Sequence, residues 1–494
     1  MEFQSTRDKN SIKYTSAQVI KQGLADDGGL FVPAKIPSLT KDEIHEFCSL
    51  SYPQIAARVL SKFLTDYTYD ELLEDCQIAY SSLSFPNGNC PLKKIDGYTY
   101  SLELWHGPTC AFKDMALQIM PKLLSRALIK TGETRTALVL VATSGDTGKA
   151  ALEGYKNVSQ IKINVFYPNN GVSKVQELQM ITQNGDNVNV CAVEGNFDDI
   201  QTGVKNIFNN IEIASELNEK GYFLSSANSI NFGRLAPQIV YYVKAYCDLL
   251  SQNEIQFGEK INVCVPTGNF GNILAAYIAK LMGLPINKLI CASNSNNILT
   301  DFLNTGKYDR NRDFYLTMSP SMDILISSNL ERLIYLMSNA NETVKYMESL
   351  NTNGCYQVSD EIKSKIDENF VGYFTNEQKT VETIDKYYRR YNYLMDTHTA
   401  VAFSSLESYR LEHKDETKTV VTSTASPYKF AGNVYGAIFG ENSHDDFQIL
   451  NELSKATSTE IPDPLYELDK KKINFTGVCN ADEMYKEVLR FLEK

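Results

Sequence analysis

Ala137 to Tyr155 reads ALVLVATSGDTGKAALEGY. An apolar run rich in Val and Leu ends in a polar turn, Thr143, Ser144, Gly145, Asp146, Thr147 and Gly148, and a helical pattern follows. The same grammar recurs in INVFYP (Ile163 to Pro168), INVCVP (Ile261 to Pro266), KLICAS (Lys288 to Ser293) and TVVTSTA (Thr419 to Ala425). Short β-branched runs alternating with helical patterns mark an α/β fold with a largely parallel sheet. In such sheets the loops after the strands are where ligands bind.

Working outward, residues 1–97 carry amphipathic patterns such as SAQVIKQGL and SLSYPQIAARVLSKFL, broken by turns at Asp26 to Gly29 and Pro86 to Asn89. This reads as a mostly helical N-terminal domain. Residues 98–135 and 245–494 are expected to form a large domain and 136–244 a smaller α/β domain. Residues 300–396 read as a mostly helical, polar insertion in the large domain.

The chain has 494 residues, enough for two or three domains with cores of their own. Its composition, 43% hydrophobic and 22% charged, is that of a folded protein. A net charge of -12, with no basic block longer than Lys470 to Lys472, argues against nucleic acid as a partner. That field repels phosphate-bearing ligands, so local donors and helix N-termini must capture them. The ten cysteines show no CxxC pair and no metal-ligand spacing against the five histidines, so no metal site is expected. No membrane span and no targeting peptide are evident, and the expected location is the cytosol.

Four loops carry the chemistry. In ELWHGPTCAFKDMALQ (Glu103 to Gln118) a helix begins just after Lys113. The helix dipole and partial burial there both favour a neutral amine, the form Schiff-base chemistry needs. From position alone an exposed first-turn lysine is the commoner case. Pro121 should kink the helix that follows. The loop from Thr143 to Gly148 offers amides and hydroxyls to a carboxylate or phosphate. It is no P-loop, since Thr143 stands where glycine is needed and Ala150 where Ser or Thr is needed. An ordinary capped turn fits it too. The loop Gly268, Asn269, Phe270, Gly271 and Asn272 lets backbone amides approach an anion at a helix start, or is a tight turn. After Thr422 and Ser423, Thr424 offers a hydroxyl to an unprotonated ring nitrogen, although Ser426 and Pro427 read equally as a helix cap.

As whole strings these segments resemble the threonine synthase family, of the longer type found in fungi and many bacteria. GLADDGGLFVP (residues 23–33), ELWHGPTCAFKDMALQ, ATSGDTG, YPNNGVSKVQELQM, GNFDDIQ, SANSINFGRLAPQIVYY (residues 226–242), PTGNFGN, MSPSMDILISSNLERL (residues 318–333), DTHTAVA and STASPYKF follow the family's order. The resemblance implies the fold of the tryptophan synthase β-subunit class (fold type II). It also implies a carbon–oxygen lyase that turns O-phosphohomoserine and water into L-threonine and phosphate with pyridoxal 5'-phosphate (PLP). Lys113 would bond the cofactor and move protons. Gly268, Asn269, Gly271 and Asn272, with Phe270 between them, would hold its phosphate, Thr424 would face its ring nitrogen, and Asp146 would lie near its ring oxygen. Thr143, Ser144 and Thr147 would bind the substrate carboxylate, and Arg234, Lys429, Asn228 and Ser229 its phosphate. The assembly would be a monomer or homodimer.

Ser426 stands where the family pattern has histidine, and Lys149 where it has a small residue. These departures leave the lysine and the anion loops intact and bear on substrate contacts, rate and product. Cofactor motifs alone leave two alternatives open: a threonine-synthase-like phospho-lyase that releases a 2-oxo acid, and a non-catalytic PLP-binding protein.

Overall fold

The computed structural model describes residues 1–10, 12–440 and 445–493. Two sheets dominate it. In the six-stranded sheet the order is Phe370–Phe374, Ile286–Ser293, Ile261–Pro266, Thr419–Ser423, Thr99–Glu103 and Leu92–Lys94. All neighbours are parallel except the last pair. The five-stranded sheet, Gly477–Asn480, Val188–Glu194, Ile161–Pro168, Thr136–Ala142 and Tyr222–Ser225, is parallel throughout.

The strand Thr136–Ala142 shows why these runs are continuously apolar. Ala137, Val139 and Val141 enter the large core, whereas Leu138 and Leu140 join a second cluster with Phe166, Cys191 and Val193. Side chains alternate across a strand, so a parallel strand covered on both faces needs apolar residues at every position.

The N-terminal helices Ser16–Gln22, Lys41–Phe47 and Tyr69–Ala79 open on capping boxes, Thr15 with Gln18, Thr40 with Glu43 and Thr68 with Glu71. In each, the side chains satisfy amides that the first turn leaves without an acceptor. This region docks on the rest through Arg7, which pairs with Glu331 at 2.7 Å, and through the Phe31 carbonyl, which accepts from Arg332 Nε at 2.9 Å.

The structure sharpens the sequence reading in one place and departs from it in two. Around Pro121, where a kink was expected, the helix after Lys113 is interrupted and becomes two, Asp114–Leu117 and Met120–Lys130. Pro121 has no N–H to offer the Leu117 carbonyl, and that carbonyl instead sits against Gly154, where a Cβ would lie 1.9 Å from its oxygen. Within 300–396, Phe370–Phe374 is an edge strand of the larger sheet. At the C-terminus, Gly477–Asn480 belongs to the five-stranded sheet, whereas the sequence reading groups it with the large unit. The helix Met484–Leu492 then adds Met484 and Val488 to the apolar cluster that contains Cys191, Val193 and Ile200.

Ending the chain at Lys472 should therefore uncover that apolar face. The loss of Cys479, Met484 and Val488 from the core is expected to cost about 5 kcal/mol, seen as a lower melting temperature and binding of a hydrophobic dye. An unchanged melting curve with no dye binding would contradict the packing.

Candidate active site

All four chemical loops stand at carboxyl ends of parallel strands, three on the larger sheet and Thr143 to Gly148 on the smaller. The lysine loop is sewn to the Thr424 loop by backbone bonds: Phe112 N donates to Thr424 O at 2.8 Å and Ser426 N to Cys110 O at 3.0 Å. Lys113 and Thr424 are thereby fixed relative to each other before any ligand is considered.

Lys113 Nζ lies 3.5 Å from Asp146 Oδ2 and 3.4 Å from Ser321 Oγ. Burial pushes its pKa down; Asp146 resists this, while the cations Lys429 and Arg234 add to it. Asp146 also accepts from Lys429 Nζ at 2.7 Å and from Gln176 Nε2 at 3.0 Å. Burial opposes its charge, yet Lys429 and Lys113 outweigh that and hold the carboxyl well below the usual range. Gly145, with φ at 131°, is required beside it, because a Cβ there would stand 2.5 Å from the Gln176 carboxamide.

Asp114, next to the lysine, is fully buried. Burial raises its carboxyl to about 6 against the pull of hydrogen bonds from Thr109 N and Oγ1. These bonds brace the loop that delivers Lys113.

Around this centre lie two sets of donors without acceptors among the described residues. One is the loop 268–272. Phe270 adopts φ 60° and turns the chain into the helix Gly271–Leu281, whose first amides have no intrahelical acceptor. Gly268 is packed so closely that a Cβ would meet Ser321 O at 2.6 Å. Asn272 Nδ2 is buried with no partner among the described residues. The other is Arg234, 4% exposed. Its Nη1 donates to Ala227 O at 2.9 Å, its Nε has no partner, and among the described residues no carboxylate pairs with it. Burial lowers its pKa to about 10, so it remains a cation at neutral pH.

The remaining expected residues are placed as follows. Thr143 Oγ1 accepts from Gly145 N and Gly148 N at 3.0 and 2.9 Å, shaping its own loop, while Ser144 is exposed and Thr147 half-buried. Asn228 is exposed, and Ser229 Oγ accepts from Asn329 Nδ2 at 3.4 Å. Lys429 is committed to Asp146 and to the Thr109 carbonyl. The Phe270 ring packs on Phe370. Lys149 is tied to Glu153 and Gln183. Ser426 caps its short helix by accepting from Tyr428 N.

Sequence reasoning assigned no role to Ser321, Asp396, His398, Asn329 or Arg332. Ser321 N donates to His398 Nε2 at 3.1 Å, and His398 Nδ1 donates to Asp396 Oδ2 at 2.7 Å. Asn329 Nδ2 donates to Asn269 O at 2.9 Å, and Arg332 anchors Asn329 and the Ile230 carbonyl. Their strings MSPSMDILISSNLERL and DTHTAVA were the available signal. Among the described residues no cluster suits a metal ion, and no helix is long and apolar enough to cross a membrane.

Two largely parallel sheets with a desolvated lysine at the carboxyl ends of the strands define the chain as a fold type II PLP-dependent enzyme. Residues 86–425 match the pyridoxal-phosphate dependent enzyme family and residues 2–80 the threonine synthase N terminus family. Threonine synthase of Pseudomonas aeruginosa is 37% identical over 86% of this chain and 87% of its own. The crystal structure of PLP-bound threonine synthase from Brucella melitensis superposes with a TM-score of 0.88 at 34% identity, covering all of both chains. Human threonine synthase-like 1 is 41% identical over 87% of this chain, which spans 58% of that relative's length. The chain belongs to the threonine synthase family.

Two predictions follow from the buried charges. Asp146→Asn leaves Lys429 unpaired and should cost about 3 kcal/mol in urea unfolding, most of it regained in Asp146→Asn/Lys429→Met; a single-variant loss below about 1 kcal/mol would refute the pairing. Asp114 binds its proton more tightly folded than unfolded, so its contribution to stability falls as pH rises from about 4 to about 6. A protonated-carboxyl infrared band at pH 5, absent in Asp114→Asn, checks this; its absence from the parent protein contradicts the raised value.

Proposed function

We propose that this protein converts O-phosphohomoserine and water into L-threonine and phosphate, with Lys113 as the residue that bonds PLP. The observation that carries the reading is one desolvated amine accompanied by two separate sets of donors unpartnered among the described residues, at the helix start of the loop 268–272 and at Arg234, each suited to negative charge. A substrate and a cofactor that each bring a phosphate call for two such places.

The loop fits the cofactor phosphate through the amides near Gly268, Asn269, Gly271 and Asn272, with Phe270 making the turn. Thr424 supplies a hydroxyl for the ring nitrogen. Bound PLP supplies an electron sink for the charge left when a proton leaves carbon. The side chains do the rest. Lys113, its basicity lowered by burial, takes and returns the proton. Asp146 keeps its charge and holds Lys429 and Lys113 in place. Arg234, with Asn228 and Ser229, receives the leaving phosphate, and a guanidinium is suited to stabilise charge growing on phosphate oxygens. The loop of Thr143, Ser144 and Thr147 takes the substrate carboxylate at its helix N-terminus.

The test is product analysis with O-phosphohomoserine. Threonine and phosphate in equal amounts are expected, and 2-oxobutyrate with ammonia would instead establish the phospho-lyase reading. Lys113→Ala should abolish the visible cofactor band and slow turnover about a thousandfold. A band that survives the substitution overturns the assignment of Lys113, and bound cofactor without turnover points to a non-catalytic protein.

A further inference from the structure

The helix Phe232–Ser251 that carries Arg234 also carries two adjacent tyrosines with no role so far. Tyr241 and Tyr242 are buried, with ring centroids 4.8 Å apart. Tyr242 Oη donates to Asn272 Oδ1, and Tyr241 Oη lies 2.8 Å from the same oxygen. A carbonyl oxygen has two lone pairs; Tyr242 engages one, and the single Tyr241 proton is within reach of the other. The other half of the carboxamide is in the opposite condition, since Nδ2 is buried without a partner. That state is costly unless a ligand satisfies it. Asn272 sits in the first turn of the helix Gly271–Leu281, among the amides assigned above to the cofactor phosphate.

The geometry points to Tyr241 and Tyr242 as positioning residues that lock the Asn272 carboxamide, so that its N–H groups rather than its oxygen face the cofactor phosphate. The two ends of a carboxamide have nearly the same shape and opposite polarity. Rotating it by half a turn would replace a donor by an acceptor that repels the phosphate. A phenol can accept as well as donate, but after that turn the buried Tyr242 O–H would have lost its acceptor, and this opposes the turn. Burial raises both phenols far above their usual pKa, so they stay protonated and remain donors at any working pH. Gln238 Nε2 donates to the Arg234 carbonyl at 2.8 Å, and its Oε1, 3.1 Å from Tyr241 Oη, shares the one Tyr241 proton with Asn272 Oδ1, which leaves Tyr242 as the principal lock. One helix therefore seats both anion holds.

This inference rests on the reading of 268–272 as the phosphate site, and the test separates the two. Apoprotein is titrated with PLP and with pyridoxal, which lacks the phosphate, and the ratio of affinities is the readout. Tyr242→Phe, and Tyr241→Phe/Tyr242→Phe more strongly, should cut the preference for PLP by about tenfold or more, the worth of a hydrogen bond to a charged oxygen, with pyridoxal affinity unchanged. Asn272→Ala should give the same loss, and adding Tyr242→Phe to it no further loss. Asn272→Asp keeps the shape, removes the donor and should lose PLP selectively, which serves even where the phenylalanine variants fold poorly. Equal weakening of both ligands, or an unchanged ratio, overturns the lock. A parent protein that does not prefer PLP over pyridoxal overturns the phosphate site itself.

Discussion

Arg234 is 4% exposed and has no carboxylate partner among the described residues. An uncompensated buried charge of that kind costs several kcal/mol, and the fold keeps it within electrostatic reach of Lys113, itself neighboured by Lys429. Asp146 offsets Lys429 at 2.7 Å and stands 3.5 Å from Lys113, but it does not serve Arg234. The pocket is thus electropositive within a chain whose net charge is -12. Much of the surrounding architecture can be understood as what maintains that local excess: helix N-termini aimed at it, a glycine where Gln176 presses close, and a tightly packed core behind.

The Asp146–Lys429 contact also ties the two sheets together. Asp146 follows a strand of the five-stranded sheet, and Lys429 follows Thr419–Ser423 of the six-stranded sheet. A charge pair out of water is stronger than one at the surface, and its loss would leave either partner stranded. The same contact therefore sets both the electrostatics of the lysine and the register between the loops that surround it.

The parallel strands, the lysine at a helix start and the turns that follow the strands were legible because each is local. Lys113 precedes its helix in sequence as in space, and Gly268 to Asn272 announce their turn by composition, although Asn329 and Ser327 help to hold it. What was not legible depends on segments hundreds of residues apart. Ser321 meets Lys113 and His398 only when three separate loops converge. Tyr241 and Tyr242 look like any apolar helix face until Asn272 is brought against them. Gly477–Asn480 carries too short an apolar run to announce a strand, and its partner Val188–Glu194 lies far upstream. Phe370–Phe374 was hidden for a similar reason, a brief aromatic run between polar helices.

The return of the C-terminus to the smaller sheet has a mechanical consequence. The chain itself would otherwise join that sheet to the rest only where it enters at Thr136 and leaves after Ser225, both beside the edge strand Tyr222–Ser225 or its neighbour. Gly477–Asn480 adds an attachment at the opposite edge, and Asn474 N donates to Ile181 O at 2.8 Å on the way. A sheet held at both edges resists twisting about its strands more than one held at a single edge. The loop Thr143 to Gly148 stands on the interior strand Thr136–Ala142 of that sheet, so Asp146 inherits the restraint. The position of a carboxylate that must meet Lys429 and Lys113 within a few ångströms is thus secured by residues at the far end of the chain.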